Sequence, residues 1–149
     1  MDQVRAIESE IQLIAFRLGQ NEYGLEISCV QEIIRVLDIT RVPKAPSYIA
    51  GVINLRGSVI TVINLHKRFG LTSTEITEDS RIIIIKWKDI VAGIMVDAAY
   101  EVTRVPLQMT ETAPNVAGSA EKDYIKGVAK VNERLLVLLD PEKVLIPGM

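Results

Sequence analysis

The sequence is poor in the residues that carry chemistry. It has one cysteine, one histidine and only 5% aromatic residues among its 149 positions. A single Cys29 forbids an internal disulfide. A single His66, with no second His or Cys beside it, leaves no zinc-ligand set. With so few rings, Ile, Val and Leu must fill the core, which favours β structure. No phosphate loop, dinucleotide fingerprint or serine nucleophile elbow is present. The first twelve residues, MDQVRAIESEIQ, lack an apolar signal core. No apolar run approaches a membrane span, and the longest, around Ile82–Ile85, suits a buried strand. The net charge of −2 argues against nucleic acid as the main partner. These absences predict a cytoplasmic, non-catalytic protein with no cofactor, no metal and no direct membrane insertion.

What is present reads as globular. Hydrophobic residues are 48% and charged residues 24% of the chain, outside the range of disordered segments. Residues 11–18 and 23–27 read as strands around the turn GQNE. Val30, Ile33, Ile34 and Leu37 recur at helical spacing, and Ser28 with Gln31 fits a capping box, so a short helix is predicted over 28–36. Residues 39–42 return to strand before the PKAP break at 43–46. Strands near 50–55 and 58–63 flank Arg56-Gly57. Asn64 then caps a one-turn helix, LHKRF, that Gly70 ends. The polar TSTEITEDS at 72–80 is the best internal boundary.

Beyond it the plan recurs. RIIIIKW and IVAGIMV flank Lys88-Asp89, and Asp97 is placed to cap a short turn in AAYEV that TRVP at 103–106 ends. Residues 107–123 form a long polar loop. YIKGVAKV and RLLVLL flank Asn132-Glu133, and Asp140-Pro141 opens a last short helix. Residues 48–69 align without a gap on 124–145, matching Tyr48 to Tyr124 and Gly51 to Gly127. Residues 24–36 align on 93–105, matching Gly24 to Gly93, Glu32 to Glu101 and Arg35 to Arg104. An internal duplication follows. The predicted fold is mainly β: two small five-stranded barrels, 11–78 and 79–146, within one domain, sharing an apolar interface.

With no catalytic constellation, a binding module remains. His66 is expected to be exposed on its helix, and Cys29 to be a buried structural thiol. Arg56 stands out, because the equivalent turn of the second copy is Asn132-Glu133 and does without arginine. Asn54 and Arg56 share a face of the hairpin, and Gly57 keeps the tip unobstructed. An arginine so held suits a bidentate bond to a partner carboxylate.

The stretch YIAGVINLRGSVITVINLHKRFG (48–70) resembles the signature of the CheW family of chemotaxis coupling proteins. FRLGQNEYGLEISCVQEIIRV (16–36), ITRVPKAPSYI (39–49) and VAGIMVDAAYEV (91–102) fit the same family. The resemblance implies two SH3-like barrels and a scaffold without catalytic activity. It implies two partners, the cytoplasmic tip of a chemoreceptor and the regulatory domain of the histidine kinase CheA. It also implies partner-binding roles for Arg56, with Asn54, Leu55 and Gly57 beside it, for Gly51, for Val30 and Glu32, and for Val102. Val30 and Val102 remain open between core and contact, and Gly51 between strand packing and contact. The methionine start and the early end after the last helix favour a stand-alone chain over a fragment of a longer protein. A small nucleic-acid or ligand binder is the alternative from another class.

Overall fold

The computed structural model describes residues 10–72, 75–112 and 124–145. In chain order the first half gives β1 (Glu10–Leu18), β2 (Asn21–Glu26), β3 (Val30–Arg35), β4 (Ile49–Leu55) and β5 (Ser58–Asn64). The second half gives β6 (Arg81–Trp87), β7 (Ile90–Val96), β8 (Ala98–Pro106), β9 (Thr110–Thr112), β10 (Ile125–Val131) and β11 (Arg134–Leu139). Short helices follow β5 and β11, at Leu65–Arg68 and Pro141–Leu145. Both are capped as their sequences predict. Asn64 Oδ1 accepts from Lys67 N at 3.2 Å, and Asp140 Oδ1 accepts from Glu142 N at 3.0 Å.

The strands form two sheets, ordered β8-β1-β2-β11-β10-β9 and β3-β6-β7-β5-β4. The prediction of a mainly β fold built from two small β units holds, but the sheets do not follow the halves 11–78 and 79–146. Each sheet takes one adjacent pair, β1–β2 or β6–β7, from one half and its other strands from the other half. The exchange is symmetric. β1, β2, β3, β4 and β5 correspond to β6, β7, β8, β10 and β11, and each pairing among them has its counterpart; the pairing of β9 with β10 is matched only by the isolated bridge of Thr40 to Val52. Thus β4–β5 and β10–β11 carry the same bulge, between Ile49 and Gly51 and between Ile125 and Gly127. Asn64 N donates to Tyr48 O, and Asp140 N to Tyr124 O, both at 2.8 Å. The duplication is therefore a repeat of backbone geometry, and the sequence boundary divides the copies without dividing the sheets.

The core has three parts. A central cluster between the sheets holds Phe16, Leu18, Tyr23, Phe69, Ile83 and Ile85. Leu13, Ala15 and Leu136 fill the inside of the first sheet, and Ile53, Val62, Ile82 and Ile84 that of the second. The four isoleucines of β6 are fully buried, because alternate residues face two different cores. Each contributes roughly 1.5–3 kcal/mol by leaving water. The central cluster is the predicted shared interface.

Several expectations change. Residues 30–35 are a strand, not a helix, after one 3-10 turn at Ile27–Cys29 whose N-cap, Glu26, makes no side-chain cap bond. A bulge between Val30 and Glu32 in the pairing with β6 explains the error. The extra residue shifts the alternation, so Val30 and Ile33, three apart, both pack on the central cluster. A bulged strand thus imitates helical spacing. Residues 39–42 make only one bridge, Thr40 to Val52. AAYEV and TRVP run together as the nine-residue β8, because β1 offers Ile14, Leu13 and Ile11 as partners. The predicted loop at 107–123 begins instead with a 3-10 turn, Leu107–Met109, and β9; its remainder, 113–123, lies outside the described residues.

Gly51 shows what the bridge demands. Its φ is +148°, and a Cβ there would lie 2.2 Å from the Thr40 carbonyl oxygen. Backbone cannot yield as a side-chain tip can. Gly51→Ala is expected to cost roughly 2–3 kcal/mol in urea unfolding. A loss below the scatter of the measurement would contradict the close approach.

Candidate functional site

The tip of the β4–β5 hairpin is strained. Leu55 pairs with Ser58, leaving a two-residue turn in which Arg56 has φ +52° and Gly57 φ +88°. Such turns favour Asn-Gly, because asparagine tolerates the left-handed region. The second copy has Asn132 at that position, with φ +57°. Arginine there costs roughly 1–2 kcal/mol of backbone strain. The Asn54 side chain steadies the turn by accepting from Gly57 N at 3.0 Å.

The guanidinium is already occupied. Arg56 Nη1 and Nη2 donate to Glu32 Oε2 and Oε1 at 2.8 and 2.7 Å. This fork–fork pair ties the tip to the edge strand β3. The hydrogen bonds from Arg56 hold the Glu32 carboxyl below the usual carboxylate range, against its partial desolvation. Arg56 nonetheless keeps 69% of its side-chain surface exposed, and Glu32 31%. The arginine was expected to be free for a partner carboxylate; the tip presents a composite of both charges.

Leu55 is half-buried against the core of the second sheet, so it anchors the tip. Beside it Val59 is 72% exposed. Val30 is half-buried on the central cluster, and Gly51 is buried under Thr40. Arg56, Glu32, Asn54, Leu55 and Gly57 thus come together, whereas Val102 sits on the other sheet. Val102 is 46% exposed and lines an open hollow of about 760 Å³ with Glu22, Ala99, Tyr100, Thr103 and Arg134. Arg134 donates to Glu22 through Nε at 3.0 Å and Nη2 at 2.5 Å. Those bonds hold Glu22 below the ordinary carboxylate range. The hollow is the exposed counterpart of the β3 face: Val102 and Ile33 hold equivalent places in the pairings of β8 with β1 and of β3 with β6. Sequence reasoning missed Tyr100, Glu22 and Arg134, which only the exchanged strands bring together.

The two reactive residues are structural. Cys29 is buried, donates from Sγ to Glu26 O at 3.1 Å, and has its pKa pushed up to about 11, first by burial and then by the Glu26 charge. A thiol so protonated is a poor nucleophile. His66 is buried, contrary to the exposed position expected. Its Nε2 lies 3.1 Å from both Asp97 carboxylate oxygens. Asp97 precedes a strand rather than a turn, and its Oδ2 accepts from Gly19 N at 2.7 Å across the molecule. Among the described residues no group of three His, Cys, Asp or Glu could hold a metal ion, and no described helix is long and apolar enough to cross a membrane.

Residues 12–146 match the CheW-like domain family. Chemotaxis protein CheW of Bacillus subtilis is 39% identical over 139 residues, covering 93% of this chain and 89% of that protein. Chemotaxis protein CheW of Treponema pallidum is 34% identical over 140 residues, covering 91% and 82%. The crystal structure of the scaffolding protein TtCheW from Thermoanaerobacter tengcongensis superposes with a TM-score of 0.82 at 35% identity, covering 87% of this chain and 88% of that one.

The ion pair makes a titration testable. A carboxyl depressed in the fold contributes stability above its unfolded pKa and loses it as pH falls through the folded pKa. By carboxyl NMR, Glu32 is expected to titrate below an ordinary glutamate and to return to the ordinary value in Arg56→Ala. Identical titrations in both proteins would show that the pair does not persist in solution.

Proposed function

The chain belongs to the CheW-like domain family, and we propose that it is a non-catalytic scaffold coupling the cytoplasmic tips of chemoreceptors to the histidine kinase CheA. The observation that most supports this is Arg56. The chain keeps a cation at a turn where asparagine fits better, exposes it, and holds it by Glu32. A partner contact would account for strain retained at this exposed position. The partner-binding set is Arg56 and Glu32 with Asn54, Leu55 and Gly57, together with Val102 in its hollow. Val30 supports the strand that carries Glu32, and Gly51 supports β4.

The chemistry fits a helical partner. A receptor tip is a helical hairpin, and an apolar stripe on it needs a hollow with aliphatic and aromatic walls. Val102 and Tyr100 supply such walls, with the Arg134–Glu22 pair at the edge. The Arg56–Glu32 composite would add orientation and selectivity more than affinity. The kinase regulatory domain would use a different surface, since a scaffold must hold both partners at once. The protein acts in the cytoplasm and meets the membrane only through its receptors.

Arg56→Asn keeps a residue suited to the turn while removing the guanidinium. It is expected to weaken binding of a receptor-tip fragment by about 3–10-fold, as loss of an interfacial charge does. The melting curve and binding to the CheA regulatory domain should be unchanged. Full receptor affinity in a natively melting Arg56→Asn protein would refute the assignment.

A further inference from the structure

A second charged surface lies away from the Arg56 tip and the Val102 hollow. The loop from Arg41 to Ser47 overhangs a cleft of about 700 Å³ whose lining shares no residue with either. Its described lining contains three cations, Arg41, Lys44 and Lys67, and no carboxylate. Among the described residues none of the three is in an ion pair. The chain as a whole carries −2, so three cations in a described lining without a carboxylate run against the average. Between the cations the walls are aliphatic. Ile39, Ile49 and Met95 are half-buried, and Val42 and Ile76 are 43% and 56% exposed.

Lys44 adds an independent sign. Ala45 N donates to Val42 O at 3.3 Å, closing a turn with Pro43 and Lys44 at its centre. Lys44 has φ +67°, at the place where such a turn after proline calls for glycine or asparagine. The backbone is strained to put an ammonium at the lip of the cleft.

We infer that this cleft docks an acidic, amphipathic segment of a partner protein, its carboxylates on Arg41, Lys44 and Lys67 and its apolar residues on the aliphatic walls. Complementary charge sets the choice of partner and the rate of encounter, and the apolar walls hold it. Nucleic acid fits less well, because no aromatic ring among the described lining residues offers a base a stacking surface. This inference does not depend on the receptor-coupling role.

The test is an amide NMR titration of the labelled protein with a short synthetic peptide of Glu and Leu pairs. Its Lys-for-Glu counterpart and a single-stranded oligothymidine serve as the other arms. The acidic peptide is expected to shift amides of residues 39–50, Lys67, Ile76 and Met95 saturably. Its affinity should fall about tenfold in the Lys44→Glu, Lys67→Glu double variant and again at high salt. Lys86→Glu, exposed and outside the cleft, should bind as the parent does. Lys44→Gly should melt higher and bind several-fold more weakly, so the result does not hinge on whether the double variant folds. Shifts mapping elsewhere, equal binding of both peptides, tighter binding of the oligothymidine, or undiminished binding by Lys44→Gly would each overturn the inference.

Discussion

Two parallel seams govern this molecule. β11 lies beside β2, and β5 beside β7. Each seam joins a strand of one copy to a strand of the other, so neither copy completes its own sheet. A unit of half this length would bury a smaller share of its surface and be only marginally stable. Exchange answers that problem by making the cores common property. Phe16 and Tyr23 of the first half pack in one cluster with Ile83 and Ile94 of the second. The chain carries two copies of a motif but one body.

Departures from symmetry tighten the same body. Arg68 has no cationic counterpart in the second copy, where Val144 stands. Its guanidinium lies 4.5 Å from the centre of Tyr48 and 4.9 Å from that of Tyr124, two residues that are equivalents in the duplication. It also reaches the carbonyls of Lys143 and Val144. A cation on a ring contributes about 0.5–2 kcal/mol, and here one cation serves both copies. His66 and Asp97 make a comparable tie, from the helix after β5 to the β1–β2 turn. A frame held at so many points can support strain at its rim, and both Arg56 and Lys44 sit there in left-handed backbone. Their polar surroundings differ. Arg56 is matched by Glu32, whereas Lys44 faces a cleft whose described lining is entirely without acid.

Legibility followed locality. The hairpins, their tips and both helix caps were readable, because turn chemistry and alternation are written in adjacent residues. The duplication was readable because each block aligns without an internal gap, although the two blocks stand at different offsets. The exchange of strands was not, since two copies with the same order of strands and turns could pair either way. β3 was misread because its bulge moved Val30 and Ile33 to one side and produced a helical period. Within the candidate site, Arg56, Glu32 and Val102 were named, two of them through family resemblance alone. That Arg56 and Glu32 bind each other was not visible, because nothing in residues 24 positions apart announces contact. His66 was misplaced for a related reason. Its partner Asp97 belongs to the other half, so its burial has no local signal.

The central claim is that the two copies are one cooperative unit whose parallel seams hold the partner-binding rim in place. Native-state hydrogen exchange across a denaturant series tests it most directly. Amides of β5 and β7, and of β2 and β11, are expected to merge into a single opening reaction with one free energy and one denaturant dependence. Separate isotherms, with the strands from 10–64 opening at one free energy and those from 81–139 at another, would contradict it.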